Sequence, residues 1–183
     1  MSDAGALLQS MRTLARANRL ANHRLHAACS QLAPDEFKAT RISFFPSLWA
    51  TLNHILIVDW YYVDALEGGC GGPALYADPE PCATLATLDA AQRAADRKLV
   101  AFCDGLDAAG LDALVTLVRS SDTRYQERAA DVLSHLFVHQ IHHRGQVHAM
   151  LSGTGVAPPQ LDEFFLSQDA ALRRPELVAL GFA

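Results

Sequence analysis

Four stretches of this chain repeat their apolar residues every three or four positions, and almost nothing alternates with the two-residue period of a strand. An α-helix turns about 100° per residue, so that spacing gathers apolar side chains on one face, which must then be buried. The first stretch runs over about residues 3–32, with Leu7, Met11, Leu14, Ala21 and Leu25 in its stripe and Asn18 inside it; Pro34 closes it. The second begins near Pro46, a residue suited to a first helical turn, and continues to Glu67 before Gly68-Gly69. The third covers about residues 85–106, through Leu88, Ala91, Ala95, Leu99, Phe102 and Leu106. The fourth follows Ser121-Asp122-Thr123, all capping residue types, and lasts to Gly153.

Two connections are long. Residues 68–84 are rich in Gly and Pro and must be a loop; the run from Gly68 to Gly72 reads as a flexible connector that could also fold over a site. It is no phosphate loop, because no Lys-Ser/Thr follows it and no strand precedes it. Residues 107–120 fit either a short strand or a helical turn, and the pattern leaves both open. After Thr154 comes a tail with Pro158-Pro159 and two short apolar patches. Four long amphipathic segments in one domain make an all-α fold, a four-helix bundle, the expected architecture.

Bulk properties narrow the function. The chain has 183 residues, half of them hydrophobic and 19% charged, as expected of one folded domain. Its net charge is -5 and no Lys/Arg block stands out, which argues against a nucleic-acid surface and against anionic lipid. The apolar stretch 44–66 is interrupted by Asn53, His54, Asp59 and Asp64, which is wrong for a membrane span. Cys29, Cys70, Cys82 and Cys103 form no C-x-x-C pair and no metal-site spacing, so neither a disulfide framework nor a thiolate site is expected. The start shows no basic segment followed by an apolar one, and a cytoplasmic protein is expected.

The chemistry is expected in the fourth segment, HQIHHRGQVH from His139 to His148. Its inward stripe reads Tyr125, Ala129, Val132, Leu136, His139, His143, Val147 and Met150. His139 and His143 thus replace two core residues in an apolar seam, while His148 points away and His135 and His142 lie on a flank. Imidazoles at i and i+4 can bind one ion, the spacing used by H-E-x-x-H zinc helices. Here Gln140 stands where that motif has Glu, so the usual general base of a metalloprotease is missing. A further ligand is needed, and His54, on the flank of the apolar face of the second segment, is the candidate. A single buried imidazole is ordinarily a hydrogen-bonded core residue. Two on one seam are costly without partners, and a metal removes that cost. Asp59 is read either as an acceptor for an imidazole N–H or as half of a buried pair with an Arg. Arg144 and Gln146 either orient ligands or substrate, or make surface and interhelical bonds. Trp49, Trp60, Tyr61 and Tyr62 read as core or dimer interface.

Asn53-His54-Ile55-Leu56 with Asp59, followed by His139-Gln140-Ile141-His142-His143-Arg144-Gly145-Gln146, resembles the DinB/YfiT-like family, whose members are regarded as metalloenzymes. The likeness extends to Ala17-Asn18 and to GVAPPQLDEFFL, residues 155–166, and so covers most of the chain up to about residue 166. The resemblance implies a four-helix bundle in up-down-down-up order over residues 1–166, with 167–183 as a C-terminal extension packed on the same domain. It also implies a metal triad at His54, His139 and His143, the three positions that helix geometry selects.

Three neutral imidazoles suit Zn²⁺ and Ni²⁺ first, and also Fe²⁺ or Mn²⁺. Three protein ligands leave a coordination position open, as in catalytic rather than structural sites. The resemblance implies small-molecule chemistry, with low-molecular-weight thiols among the substrates of some relatives. The expected function is therefore a metal-dependent enzyme of thiol transfer or hydrolysis, working as a homodimer on a small molecule. The alternative is a non-catalytic metal- or ligand-binding bundle of a stress response. A purely structural module is the weakest reading, because it would not require two histidines in the seam.

Overall fold

The structure is a computed structural model that describes residues 3–163 and 165–182. It is mostly helical. The four long helices are α1 (Asp3–Cys29), α3 (Leu48–Leu66), α4 (Leu85–Gly105) and α6 (Ala129–Leu151). Between them lie the short helices α2 (Pro34–Lys38) and α5 (Ala108–Asp112), the strands β1 (Leu114–Val118) and β2 (Arg124–Arg128), and near the end α7 (Ala170–Ala179). Each long helix packs on two others: α1 on α4 and α6, and α3 on α4 and α6.

Local chemistry sets the ends of these helices. Helix α1 stops at Cys29, three residues short of the expected end, because Gln31 and Leu32 bond back to the carbonyls of Ala28 and Cys29, closing a tighter turn. Pro46 lies outside α3; the cap is Ser47, whose hydroxyl accepts from the Ala50 N–H at 3.0 Å. The other end of α3 is a Schellman turn: Gly68 takes φ 83°, its N–H bonds Ala65 O, and the Gly69 N–H bonds Asp64 O. Thr84 and Thr87 close a capping box at the start of α4.

The sequence pattern misplaces the start of α6. Ser121, Asp122 and Thr123 are not caps but the turn of a hairpin, closed by Arg119 and Ser120 N–H groups on Thr123 O. Residues 124–128 form β2, antiparallel to β1 with Thr116 opposite Gln126, so the chain is not purely α-helical. Tyr125 is therefore no core residue: it is 53% exposed, on a strand whose residues all face solvent. One face of β1 is anchored by Val115 and Leu117, while β2, exposed throughout, is held by the ladder and by side-chain bonds from Gln126 to Thr116 and from Arg128 to Asp112. Residues 107–120 contain both of the structures left open by the pattern, α5 followed by β1.

Two apolar clusters fill the interior. One gathers Met11, Tyr61, Tyr62, Leu99, Cys103, Val132 and Leu136. The other gathers Leu25, Leu48, Leu52, Ile55, Leu88, Val147 and Leu151. Helices α1 and α6 run from the first cluster to the second, and α3 and α4 run back. Between the clusters lies a belt of buried polar side chains: Asn18, Asn22, Asp59, Gln92, Asp96, Gln140, His143 and Arg144. At the C-terminal end, Phe182 packs on the first cluster and Arg24 bonds the Glu176 carboxylate of α7. Among the described residues no helix is long and apolar enough to cross a membrane.

Candidate metal centre

The belt contains two polar assemblies. The first joins all four long helices. Asn18 and Asn22 donate to Asp96 Oδ1 at 3.3 and 2.8 Å, and Gln92 Nε2 donates to Asp59 Oδ2 at 2.6 Å and to Asp96 Oδ1 at 3.2 Å. Gln140 Nε2 donates to Asp59 Oδ1, and Arg144 Nη1 donates to Asn18 Oδ1, Asn22 Oδ1 and Gln140 Oε1. Burial pushes Asp59 up to about 6. It also pushes Asp96 up to about 7, with the Asp59 charge adding to the rise. Burial lowers Arg144 to about 10, which still leaves it charged at neutral pH.

Asp59 thus accepts from two amides rather than from an imidazole, and Arg144 reaches it through Gln140 rather than by a direct pair. Arg144 makes interhelical bonds, one of the two roles open to it. The sequence pattern missed Gln92 and Asp96. They extend the Leu88 register by four residues each, a face with two polar members, whereas the apolar count followed Ala91 and Phe102, both only half-buried.

The second assembly is the histidine group. His54 comes from α3, and His139 and His143 come from successive turns of α6, on the same seam as Leu136 and Val147. One nitrogen from each ring lies within 4.8 Å of the other two, a set that could hold a metal ion. His54 Nε2 and His139 Nε2 are 3.0 Å apart, and the ring centroids are 4.4 to 5.0 Å from one another. All three imidazoles are held below the usual histidine range. Burial lowers His54 to about 4 and His139 to about 3, with the neighbouring His143 adding to both, and burial lowers His143 as well. The rings are therefore neutral at pH 7, the form that binds metal.

Surrounding residues orient the group. His143 Nδ1 meets Gln146 Oε1 at 2.9 Å, and since that oxygen only accepts, Nδ1 carries the proton and Nε2 is left free. Gln146 Nε2 bonds His142 Nε2 at 3.1 Å, which holds the amide in place. Gln146 thus takes the orienting role, through His143. Phe45, unmarked in the sequence, lies over the group with its centroid 4.3 Å from the His54 ring and 5.5 Å from that of His143. No spacing pattern could have marked it, because it sits in an irregular segment before α3.

Other expected roles resolve plainly. His135 and His142 are exposed on the flank of α6, and His148 is half-buried rather than solvated. The 68–84 loop packs on α3 and β1, and its end is tied down by Asn53, which accepts from the Cys82 N–H and donates to Cys82 O. Cys29, Cys82 and Cys103 are buried, Cys70 is exposed, and all four are free thiols. Tyr61 and Tyr62 belong to the core, with Trp49 and Trp60 packed against it.

The family model described as the DinB family matches residues 1–175. Among solved structures, the chain is similar to a DinB-like protein from Bacillus cereus ATCC 10987, with a TM-score of 0.59 at 17% identity, over 84% of this chain and 94% of that one. No curated protein matches the chain.

Proposed function

Because this chain belongs to the DinB family, we propose that His54, His139 and His143 together hold one divalent metal ion and that the protein is a metal-dependent enzyme of small-molecule chemistry. The observation that carries this reading is the convergence of three neutral imidazole nitrogens on one point, with no carboxylate or thiolate in the set. His54 Nε2 and His139 Nε2 lie 3.0 Å apart, close enough for one cation to reach both. Imidazole ligands suit Zn²⁺ or Ni²⁺ first, then Fe²⁺ or Mn²⁺. When bound, such an ion with an open position makes a water or thiol that reaches it more acidic.

The chain's own residues have the matching tasks. The imidazoles are neutral, so the ion keeps its full charge. Gln146 fixes the tautomer of His143, and Phe45 covers one side of the rings and excludes water there. Low-molecular-weight thiols are the proposed substrates, since a thiol acidified at the ion needs no protein base; hydrolysis is the variant in which water takes its place. The fold that carries the site is read as the four-helix bundle of the family in up-down-down-up order, over residues 1–166 with 167–183 packed on it. Val138 and Ile141, exposed one turn apart on α6, support a homodimer through that helix. A cytoplasmic setting, where free thiols persist, fits the unpaired cysteines.

The test mixes metal-loaded protein with a panel of low-molecular-weight thiols and a chromogenic electrophile, and compares its rates with those of His143→Ala. A rate advantage that disappears in the variant is expected. Equal rates across the panel would leave the non-catalytic metal-binding bundle as the better description.

A further inference from the structure

Helix α6 turns His139 and His143 towards His54 of α3, and Arg144 towards α1. Every hydrogen bond that Arg144 makes falls on one nitrogen, Nη1, which donates to Asn18, Asn22 and Gln140. Nε and Nη2 meet no acceptor among the described residues, yet neither belongs to the buried side-chain atoms left without a partner. That edge of the guanidinium is therefore open. Arg144 lines a cavity of about 490 Å³ between α1, α6 and residues 160–165. The side chain is otherwise buried, only 6% exposed, so the cavity is where its two open donors reach.

The size falls within the range of roughly 300–1,000 Å³ usual for small-molecule sites. The walls are mainly apolar, with Leu14, Ala21, Phe137 and Leu161 among them, and none of the three histidines of the metal centre lines it. Gly145, the next residue on the wall, leaves room there, since a Cβ would meet nothing within 4 Å. Glycine inside a helix is destabilising relative to alanine, and no close neighbour requires it at this position. What the missing side chain provides is space beside Arg144.

Charge selects the ligand. His148 aside, Arg144 and Asp162 are the ionisable residues of the lining. Asp162 is exposed and accepts from Gln160 Nε2. Asp59 and Asp96 do not line the cavity, and they accept from side-chain amides rather than from the guanidinium. Arg144 is thus the cavity's buried charge. Its open edge is the Nε–Nη2 side, whose two N–H groups run parallel and match the two oxygens of a carboxylate. We infer that the cavity is a small-molecule site separate from the histidine group, taking an apolar compound whose carboxylate Arg144 holds through Nε and Nη2.

The test titrates the protein with 2-naphthoate, naphthalene and 2-naphthylmethylamine at neutral pH, followed by ligand fluorescence, in the wild type, Gly145→Phe, Arg144→Lys and His139→Ala. The wild type should bind naphthoate about 10- to 100-fold tighter than naphthalene, the worth of charge-assisted hydrogen bonds, and the amine no tighter than naphthalene. Gly145→Phe puts a ring into open space on the wall, so it should weaken naphthoate and naphthalene alike without lowering the unfolding midpoint. Arg144→Lys keeps the charge but loses the fork, and should remove most of the naphthoate advantage. His139→Ala should change none of the affinities. Equal affinity for naphthoate and naphthalene in the wild type, tighter binding of the amine, or no saturable naphthoate binding overturns the inference. So does naphthoate binding that is indifferent to Gly145→Phe, or that is lost in His139→Ala, which would place the ligand at the histidine group. Should Arg144→Lys fail to fold, the wild-type preference and the Gly145→Phe result still decide it.

Discussion

Two polar assemblies are buried at the same level of the helices and are built in opposite ways. The Asn18–Asn22–Asp59–Gln92–Asp96–Gln140–Arg144 network draws on all four long helices, and its donors meet acceptors of its own. The histidine group draws on two helices, and its nitrogens face one another. The first offsets nearly all of the cost of burial internally, with Gln92 Oε1 its one fully buried atom without a hydrogen-bond partner among the described residues, and serves to join helices. The second leaves that cost for a ligand to offset, which is how a binding site differs from a structural core.

The largest effect expected from this contrast is on stability. Removing the Arg144 charge with Arg144→Met leaves two carboxylates sharing one buried space, and breaking such an assembly costs about 3–5 kcal/mol. Urea unfolding of the metal-free protein should show that loss, while His54→Ala, which breaks no closed network, should cost less than about 2 kcal/mol. Equal losses would mean that the two assemblies do the same job.

Next in size is the response to pH, where the two regions oppose each other. Asp96 and Asp59 titrate near 7 and 6 in the folded chain but near 3.9 when unfolded, so the folded state binds more protons between these values. Their contribution is fully present below about pH 4 and is lost as pH rises through 6 to 7. His54 and His139 titrate near 4 and 3 folded and near 6.5 unfolded, so the unfolded state binds more protons and stability is lost as pH falls from 6.5 towards 4. Urea midpoints of metal-free protein from pH 4 to 8 should therefore fall more steeply towards acid in Asp96→Asn than in the wild type. In His139→Phe they should fall towards alkali instead. Parallel curves for all three proteins would contradict the assignment.

The smallest expected effect concerns Gln146, which touches the histidine group without closing any network. Gln146→Ala frees the His143 ring and should weaken metal binding about 10- to 100-fold. Its midpoint of unfolding without metal should stay close to that of the wild type. A large stability change with unchanged affinity would move Gln146 into the structural class.

The same contrast explains what could be read in the sequence. Spacing locates His139 and His143, because a helix repeats and two imidazoles in the Leu136–Val147 seam stand out. It locates the four long helices for the same reason. It fails at 121–128, where Ser-Asp-Thr reads equally well as a cap or as a hairpin turn, and only the ladder between Thr116 and Gln126 decides. It misses Gln92, Asp96 and the interior role of Gln140, because a polar residue at a buried position looks like a solvated one until its partners on a neighbouring helix are known. Phe45 is hidden by irregular backbone, which carries no period.

The central claim is that three histidines from two helices hold one ion in common. Metal content per chain, measured on purified wild type and on His54→Ala, His139→Ala, His143→Ala and His148→Ala, tests it directly. One equivalent of a divalent metal is expected in the wild type and in His148→Ala, and almost none in the other three. Full occupancy in any one of His54→Ala, His139→Ala or His143→Ala would contradict the shared site.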